Sequence, residues 1–242
     1  MLAVRGVRSR LSLAEAVRQG GVRRGVRGAA GRVLPEVQLA APSVRGAGQV
    51  VAGSANWSTS FFGITPDYLD ARDWALAAGR GFEATELAGS GKVAMIGLTA
   101  GEKLFGEAAV QDPAIMLEQT IRVRKVPLTI VGVLERKGQS ALGQDQDDLV
   151  VVPISTYRNR IQGSATGGKL RRVGVISVKV REGQSMKAAE DGITELLKQR
   201  MKVQAGADAP FSIRNLTEIL QAQEASSRIM TLLLAAVAGI SL

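Results

Sequence analysis

The chain reads as a fold of mixed α and β structure. Two apolar, β-branched runs, Leu128 to Leu134 and Leu149 to Val152, are continuous enough to be strands covered on both faces. A third run, Val173 to Val180, has the same character. Against these stands Ser185 to Met201, where Met186, Ala189, Ile193, Leu196, Leu197 and Met201 recur at helical spacing behind a Ser185 N-cap.

The remaining elements follow in order. Val33 to Ala41, bounded by Pro35 and Pro42, reads as a first strand. Gln49 to Ala52 and Trp57 to Ile64 read as a hairpin turned at Gly53 to Asn56. Thr65, Pro66 and Asp67 supply N-cap, N1 and an acidic first turn for a short helix, with Tyr68, Leu69 and Trp74 facing inward. Gly79-Arg80-Gly81 turns the chain, and Ala84 to Gly91 reads as a polar loop. Lys92 to Gly97 is a strand, followed by a helix capped by Thr99 with Glu102 and ended by Gly106. Gln119 to Arg124 pairs with Leu128 to Leu134 around Lys125-Val126-Pro127. A loop rich in glycine, amides and carboxylates, Gly138 to Asp148, joins the two core strands, and Ser155-Thr156 caps a short helix through Arg160. Beyond a Gly-rich linker at 163–168 and the long helix, Phe211 to Arg214 is a last short strand. Asn215 to Glu218 forms a capping box for a helix through Arg228. From Ile229 to Leu242 fourteen residues carry no charge. A membrane helix needs about twenty, so this run reads as a span cut short.

Composition removes most reaction chemistry. The 242 residues contain no cysteine and no histidine, so thiolate sites, imidazole bases and the usual zinc ligands are absent. Glu86 to Val93 (ELAGSGKV) imitates a phosphate-binding loop, but Glu86 stands where glycine is required and Val93 where Ser or Thr would bind magnesium. Asp145 to Asp148 imitates a calcium loop and fails at Leu149, which has no oxygen ligand. The acids there read instead as caps on backbone N–H groups. Asp145 with Asp147 or Glu135 would be the carboxylate pair of an envelope hydrolase, the less favoured alternative, and no aromatic sugar platform accompanies it. Trp57 and Trp74 read as packing residues rather than ligand platforms.

Several ordered motifs resemble the periplasmic core of MacB-type ABC transporter permeases. They are Asn56-Trp57-Ser58-Thr59, Gly63 to Leu69, Trp74 to Phe82 with Gly79 and Arg80, Lys103 to Gly106, Thr120 to Leu134, Lys137-Gly138-Gln139-Ser140, Gly143-Gln144-Asp145-Gln146-Asp147-Asp148, Val152 to Thr156 with Pro153, and Arg214-Asn215-Leu216. The resemblance spans roughly residues 37–242. It implies an α+β fold: a porter-like βαβ part from 37–66 and 169–222, an inserted Sabre-like part over 67–168, and a stalk with a truncated transmembrane helix at 223–242. It further implies a non-catalytic module in the bacterial inner membrane, facing the periplasm. The module would transmit movement driven by ATP bound on a separate or missing nucleotide-binding domain. Its expected partners are a second permease copy, the ABC ATPase, a periplasmic adaptor and an outer-membrane channel, with no nucleic acid. The chain departs from the family pattern at Ala114 to Glu118, at Arg200-Met201-Lys202 and at Ala209-Pro210.

The net charge of +9 is concentrated at one end. Residues 1–36 hold eight arginines against two glutamates, a net of +6, and 25 of them are Arg, Gly, Val or Ala. That bias is poor core material and suggests a disordered or mistranslated segment, or a flexible basic tail. A basic arm is also what the rival reading, a soluble nucleic-acid-binding protein, would require.

Overall fold

The computed structural model describes residues 1–5, 34–140, 143–162, 174–201 and 210–215. Its strands are β1 (Leu2–Arg5), β2 (Val37–Ala52), β3 (Ala55–Ile64), β4 (Leu76–Gly79), β5 (Val93–Ile96), β6 (Thr120–Val123), β7 (Val126–Leu134), β8 (Leu149–Pro153), β9 (Val175–Val180) and β10 (Ser212–Asn215). Its helices are α1 (Asp67–Ala71), α2 (Ala84–Gly89), α3 (Leu98–Phe105), α4 (Ala108–Gln111), α5 (Ile154–Thr156) and α6 (Met186–Met201), with a 3-10 turn at Pro113–Met116 and a π turn at Tyr157–Ile161.

All ten strands share one mixed sheet, in the order β10-β1-β9-β2-β3-β8-β5-β7-β4, with β6 bridging β2 and β7. The first five in that order come from outside residues 67–168 and the last four from within. The two groups meet where β3 runs parallel to β8, from Ser60 opposite Leu149 to Ile64 opposite Pro153. The β2–β3 hairpin is closed by the two-residue turn Gly53-Ser54, with Gly53 at φ +55°. β7 and β8 each bury consecutive residues, as strands covered on both faces must. One core packs α3, Met116 and Tyr157 against Val50, Phe61, Ile96, Ile130 and Val150. A second gathers Leu39, Ile64, Tyr68, Trp74, Met95, Leu134 and Val151. A third seats Ala189, Ile193 and Leu197 of α6 on β1, β2 and β9. The Ser185 hydroxyl caps α6 by accepting from the Ala188 N–H.

Seven sequence expectations need correction. The first strand does not stop at Pro42; β2 runs on to Ala52, 16 residues in all from Val37, and Pro42 pairs with Ile176 of β9 without breaking it. Residues 1–36 are not uniformly unfit for a core. Leu2 and Val4 are 0% and 1% exposed in a strand between β9 and β10, and Leu34 packs beneath α6. Composition averaged over 36 residues hides a four-residue alternation at the start. Thr65 does not cap α1; Pro66 holds that position and the Thr65 hydroxyl is buried without a partner. Ala84 to Gly89 is helical, with Glu83 and Glu86 forming a reciprocal capping box. The cap of α3 is Gly97, so the helix begins before Thr99. The β6–β7 turn is Arg124-Lys125, because Val126 already pairs with Val123 and Pro127 with Arg122. Ser155 and Thr156 do not cap the short helix after β8; they lie inside it behind Pro153, and their hydroxyls donate to the Leu87 and Gly91 carbonyls. The linker at 163–168, the helix expected after Asn215 and the apolar run 229–242 lie outside the described residues. Among the described residues, no helix is long and apolar enough to cross a membrane.

Tyr157 gives this core a measurable pH signature. Its ring meets Phe61 at 5.9 Å, and burial pushes its hydroxyl above the ordinary value of 10.0, with Arg124 pulling weakly the other way. A raised folded-state value means that the stabilisation is complete below the unfolded value and is lost as pH climbs through the folded one. Tyr157→Phe is therefore expected to flatten the alkaline fall in stability above pH 10, measured by urea unfolding across that range. An unchanged slope would refute this.

Candidate functional site

The loop between β7 and β8 is built around one carboxylate. Asp147 is 2% exposed; its Oδ1 accepts from the Lys137 N–H at 2.7 Å and its Oδ2 from the Gly138 N–H at 2.8 Å. The Asp147 N–H itself donates to Asp145 Oδ1 at 2.8 Å, and the Gln146 N–H to the Gly138 carbonyl at 3.0 Å. Ser140 and Gln144 close the tip through Ser140 N–H to the Gln144 carbonyl at 2.7 Å, while the Gly143 N–H donates to the Ser140 carbonyl at 2.8 Å. Gln139 bridges Asp145 across the loop. The positive φ of Gly138, +70°, and of Gly143, +72°, makes both turns cheap only for glycine.

This loop is then tied to three neighbours. Asp148 Oδ1 accepts from the Trp57 indole of β3 at 2.9 Å. The Asp147 carbonyl accepts from the Ala100 N–H of α3 at 3.4 Å, under a Gly97 that has no room for a side chain. Arg72, just beyond α1, donates to Gln146 Oε1 at 2.9 Å and lies over the rings of Tyr68 and Trp74. Trp74 is buried and donates its indole N–H to the Glu135 carbonyl at 2.7 Å. The Lys137 ammonium donates to the Arg72 carbonyl and, at 3.3 Å, to the Asp73 carbonyl. Burial and the Arg72 charge hold its pKa below the ordinary lysine value, against the pull of Asp73 and Asp147.

The other motif residues are placed elsewhere. Asn56 sits at the exposed end of the hairpin, accepting from Gln49 Nε2 at 3.0 Å. Gly79 ends β4, and Arg80 forms a two-point pair with the Glu86 carboxylate at 2.8 and 3.0 Å. Pro153 closes β8 opposite Ile64. Arg214 and Asn215 lie on β10, paired with Ala3 and Leu2 at the far edge of the sheet. The motifs thus form one hub with outlying supports rather than a single pocket. Both oxygens of Asp147 are committed to backbone, and among the described residues no three acids gather into a metal-sized cluster.

A cleft of about 560 Å³ lies beside the hub. Gln38 and Leu39 of β2 with Lys179 and Arg181 form one wall; Leu69, Asp70, Asp73 and Trp74 form the other. Asp73 and Lys179 are ion-paired across it. Nothing in the sequence marks Arg72, Asp73 or Lys179, because a lone charge after a helix or on a strand carries no pattern. Gly97 was visible only as a strand terminus.

A family model for the MacB-like periplasmic core domain matches residues 5–196. The macrolide export ATP-binding/permease protein MacB of Chlorobium luteolum is 33% identical over 202 residues, 84% of this chain and 28% of its own length. Its namesake in Rhodospirillum rubrum is 34% identical over 211 residues, 87% of this chain and 29% of its own length. The chain thus spans less than a third of these curated relatives. The crystal structure of the periplasmic region of MacB from Actinobacillus actinomycetemcomitans shares the fold, with a TM-score of 0.64 at 22% identity over 92% of both chains. So does the extracellular domain of the transporter YknZ, with a TM-score of 0.58 at 16% identity over 88% of this chain and 99% of that one. With the match running through nearly every strand and helix described above, the chain belongs to the MacB-like periplasmic core domain family.

Proposed function

We propose that this chain is the periplasmic core of an inner-membrane ABC transporter permease and that it passes on ATP-driven movement without making or breaking bonds. ATP would be bound by a separate nucleotide-binding domain or subunit, and the permease would work as a homodimer, with an adaptor and an outer-membrane duct as further partners. In this reading, the strands on either side of the β3–β8 junction are the porter-like and Sabre-like parts, and the cleft lies between their outer walls. The observation that carries the proposal is the use of the family motif. Its carboxylates and lysine are spent on backbone groups and on an indole, which stiffens the joint between β3, α1, α3 and β8. Stiff elements joined at a cleft are what transmission of a displacement requires. The names of the relatives, which combine ATP binding with a permease, agree with that role.

These 242 residues contain no cysteine, so thiols introduced here stand alone within the chain. Gln38→Cys and Asp70→Cys, on opposite walls of the cleft, are introduced into the permease assembled with its ATPase in membrane vesicles and joined by a short bismaleimide. ATP-driven export is expected to fall to background while ATP binding persists. Full export with the crosslink complete would overturn the proposal, as would ATP hydrolysis by the purified chain alone.

A further inference from the structure

We infer that Lys137, Asp73 and Lys179 form a relay that ties the β7–β8 loop to β9 and latches one end of the cleft. The segment just beyond α1 lies between two lysines that come from opposite directions. Lys137 holds the Arg72 and Asp73 carbonyls from the loop side. Lys179, on β9, holds the Asp73 carboxylate from the other side, although 106 residues separate the two in sequence. Asp73 itself is left-handed, at φ +48°, a conformation uncommon outside glycine that Asp adopts more readily than most residues. The relay continues inward, since the Lys137 N–H rests on Asp147 and the next acid, Asp148, holds Trp57 of β3. One continuous set of polar contacts therefore runs from β3 through the loop and the end of α1 to β9, around the cleft.

The energetics favour a latch over a staple. Asp73 is 73% exposed in its side chain and Lys179 31%, so the ion pair adds little to global stability and is screened by salt. A weak, largely exposed contact can open and close within a working cycle. The device gains its purpose from the transmission role proposed above, but the coupling itself belongs to the isolated chain and is measured there.

Hydrogen exchange on the purified full chain tests it. Lys179→Met is expected to raise exchange at amides 72–76 about fivefold, the scale of one exposed ion pair. Lys137→Met is expected to raise exchange at β9 as well as at 72–76, because coupling between two sites is reciprocal. The double variant should show less than the product of the two effects. The charge swap Asp73→Lys with Lys179→Asp should restore protection, whereas Asp73→Gly, which relaxes the backbone and removes the pair, should not. Unchanged exchange at 72–76 in Lys179→Met, or fully multiplicative effects in the double variant, would overturn the relay. Neither result depends on whether the transporter exports anything.

Discussion

Asp147→Ala is expected to lower the unfolding free energy by about 3 kcal/mol. The carboxylate is buried and accepts from two backbone N–H groups, those of Lys137 and Gly138. Its removal leaves two donors without a partner, and a buried unsatisfied donor costs roughly 1–3 kcal/mol. Lys137 would lose its anchor at the same time, so the contacts at the end of α1 should loosen with the loop. Asp147→Asn is the informative companion. Its amide keeps one acceptor and turns a donor towards the other N–H, so it should fall between wild type and alanine. Urea unfolding followed by tryptophan fluorescence reads both effects, since Trp57 and Trp74 flank the loop. A cost below about 1 kcal/mol for alanine would mean that the loop is held by its turn geometry, not by this carboxylate.

Much of this architecture was legible because it follows local rules. β7 and β8 announced themselves as uninterrupted β-branched runs, and α6 as a helical stripe behind a serine cap. The carboxylates at Asp145 and Asp147 are legible as caps because short acids in a glycine-rich loop bond nearby N–H groups; Asp148 departs from that reading, since its carboxylate accepts from the Trp57 indole, 91 residues away. What escaped was set by contacts distant in sequence. β1 is a strand because β9 and β10 flank it, and four residues alone carry no such information. The sequence of α2 reads as a loop because Glu83 is outside the usual set of N-cap residues, although Glu86 completes the box. Lys137 stands in a legible motif, but its target is the end of a helix 65 residues earlier. Asp73 and Lys179 could not be paired at all before the sheet order was known.

The largest single loss is expected from Gly79→Ala, at about 4 kcal/mol, because two separate penalties meet there. Gly79 has φ +78°, where alanine pays roughly 1–2 kcal/mol for the left-handed backbone. A Cβ at this position would also lie 2.4 Å from the Val131 carbonyl oxygen and 2.9 Å from the Gly132 Cα, both backbone atoms of β7 that cannot step aside. Overpacking of that kind costs roughly 1–3 kcal/mol. Two other glycines separate the terms. Gly53 has φ +55° and open space around it, so Gly53→Ala should show backbone strain alone, about 1 kcal/mol. Gly97 has an ordinary extended backbone at φ −83°, but its Cβ would lie 2.3 Å from the Asp147 carbonyl oxygen, so Gly97→Ala should show the clash alone, about 2–3 kcal/mol. The expected order of destabilisation in urea is therefore Gly79, Gly97, Gly53. Gly97→Ala carries a further consequence, because the displaced carbonyl belongs to the residue that anchors Lys137. It should raise exchange at the end of α1 as well as at α3, whereas Gly53→Ala should leave both segments untouched. A Gly53 variant as damaging as the Gly79 variant would show that turn strain, not backbone contact, limits these positions.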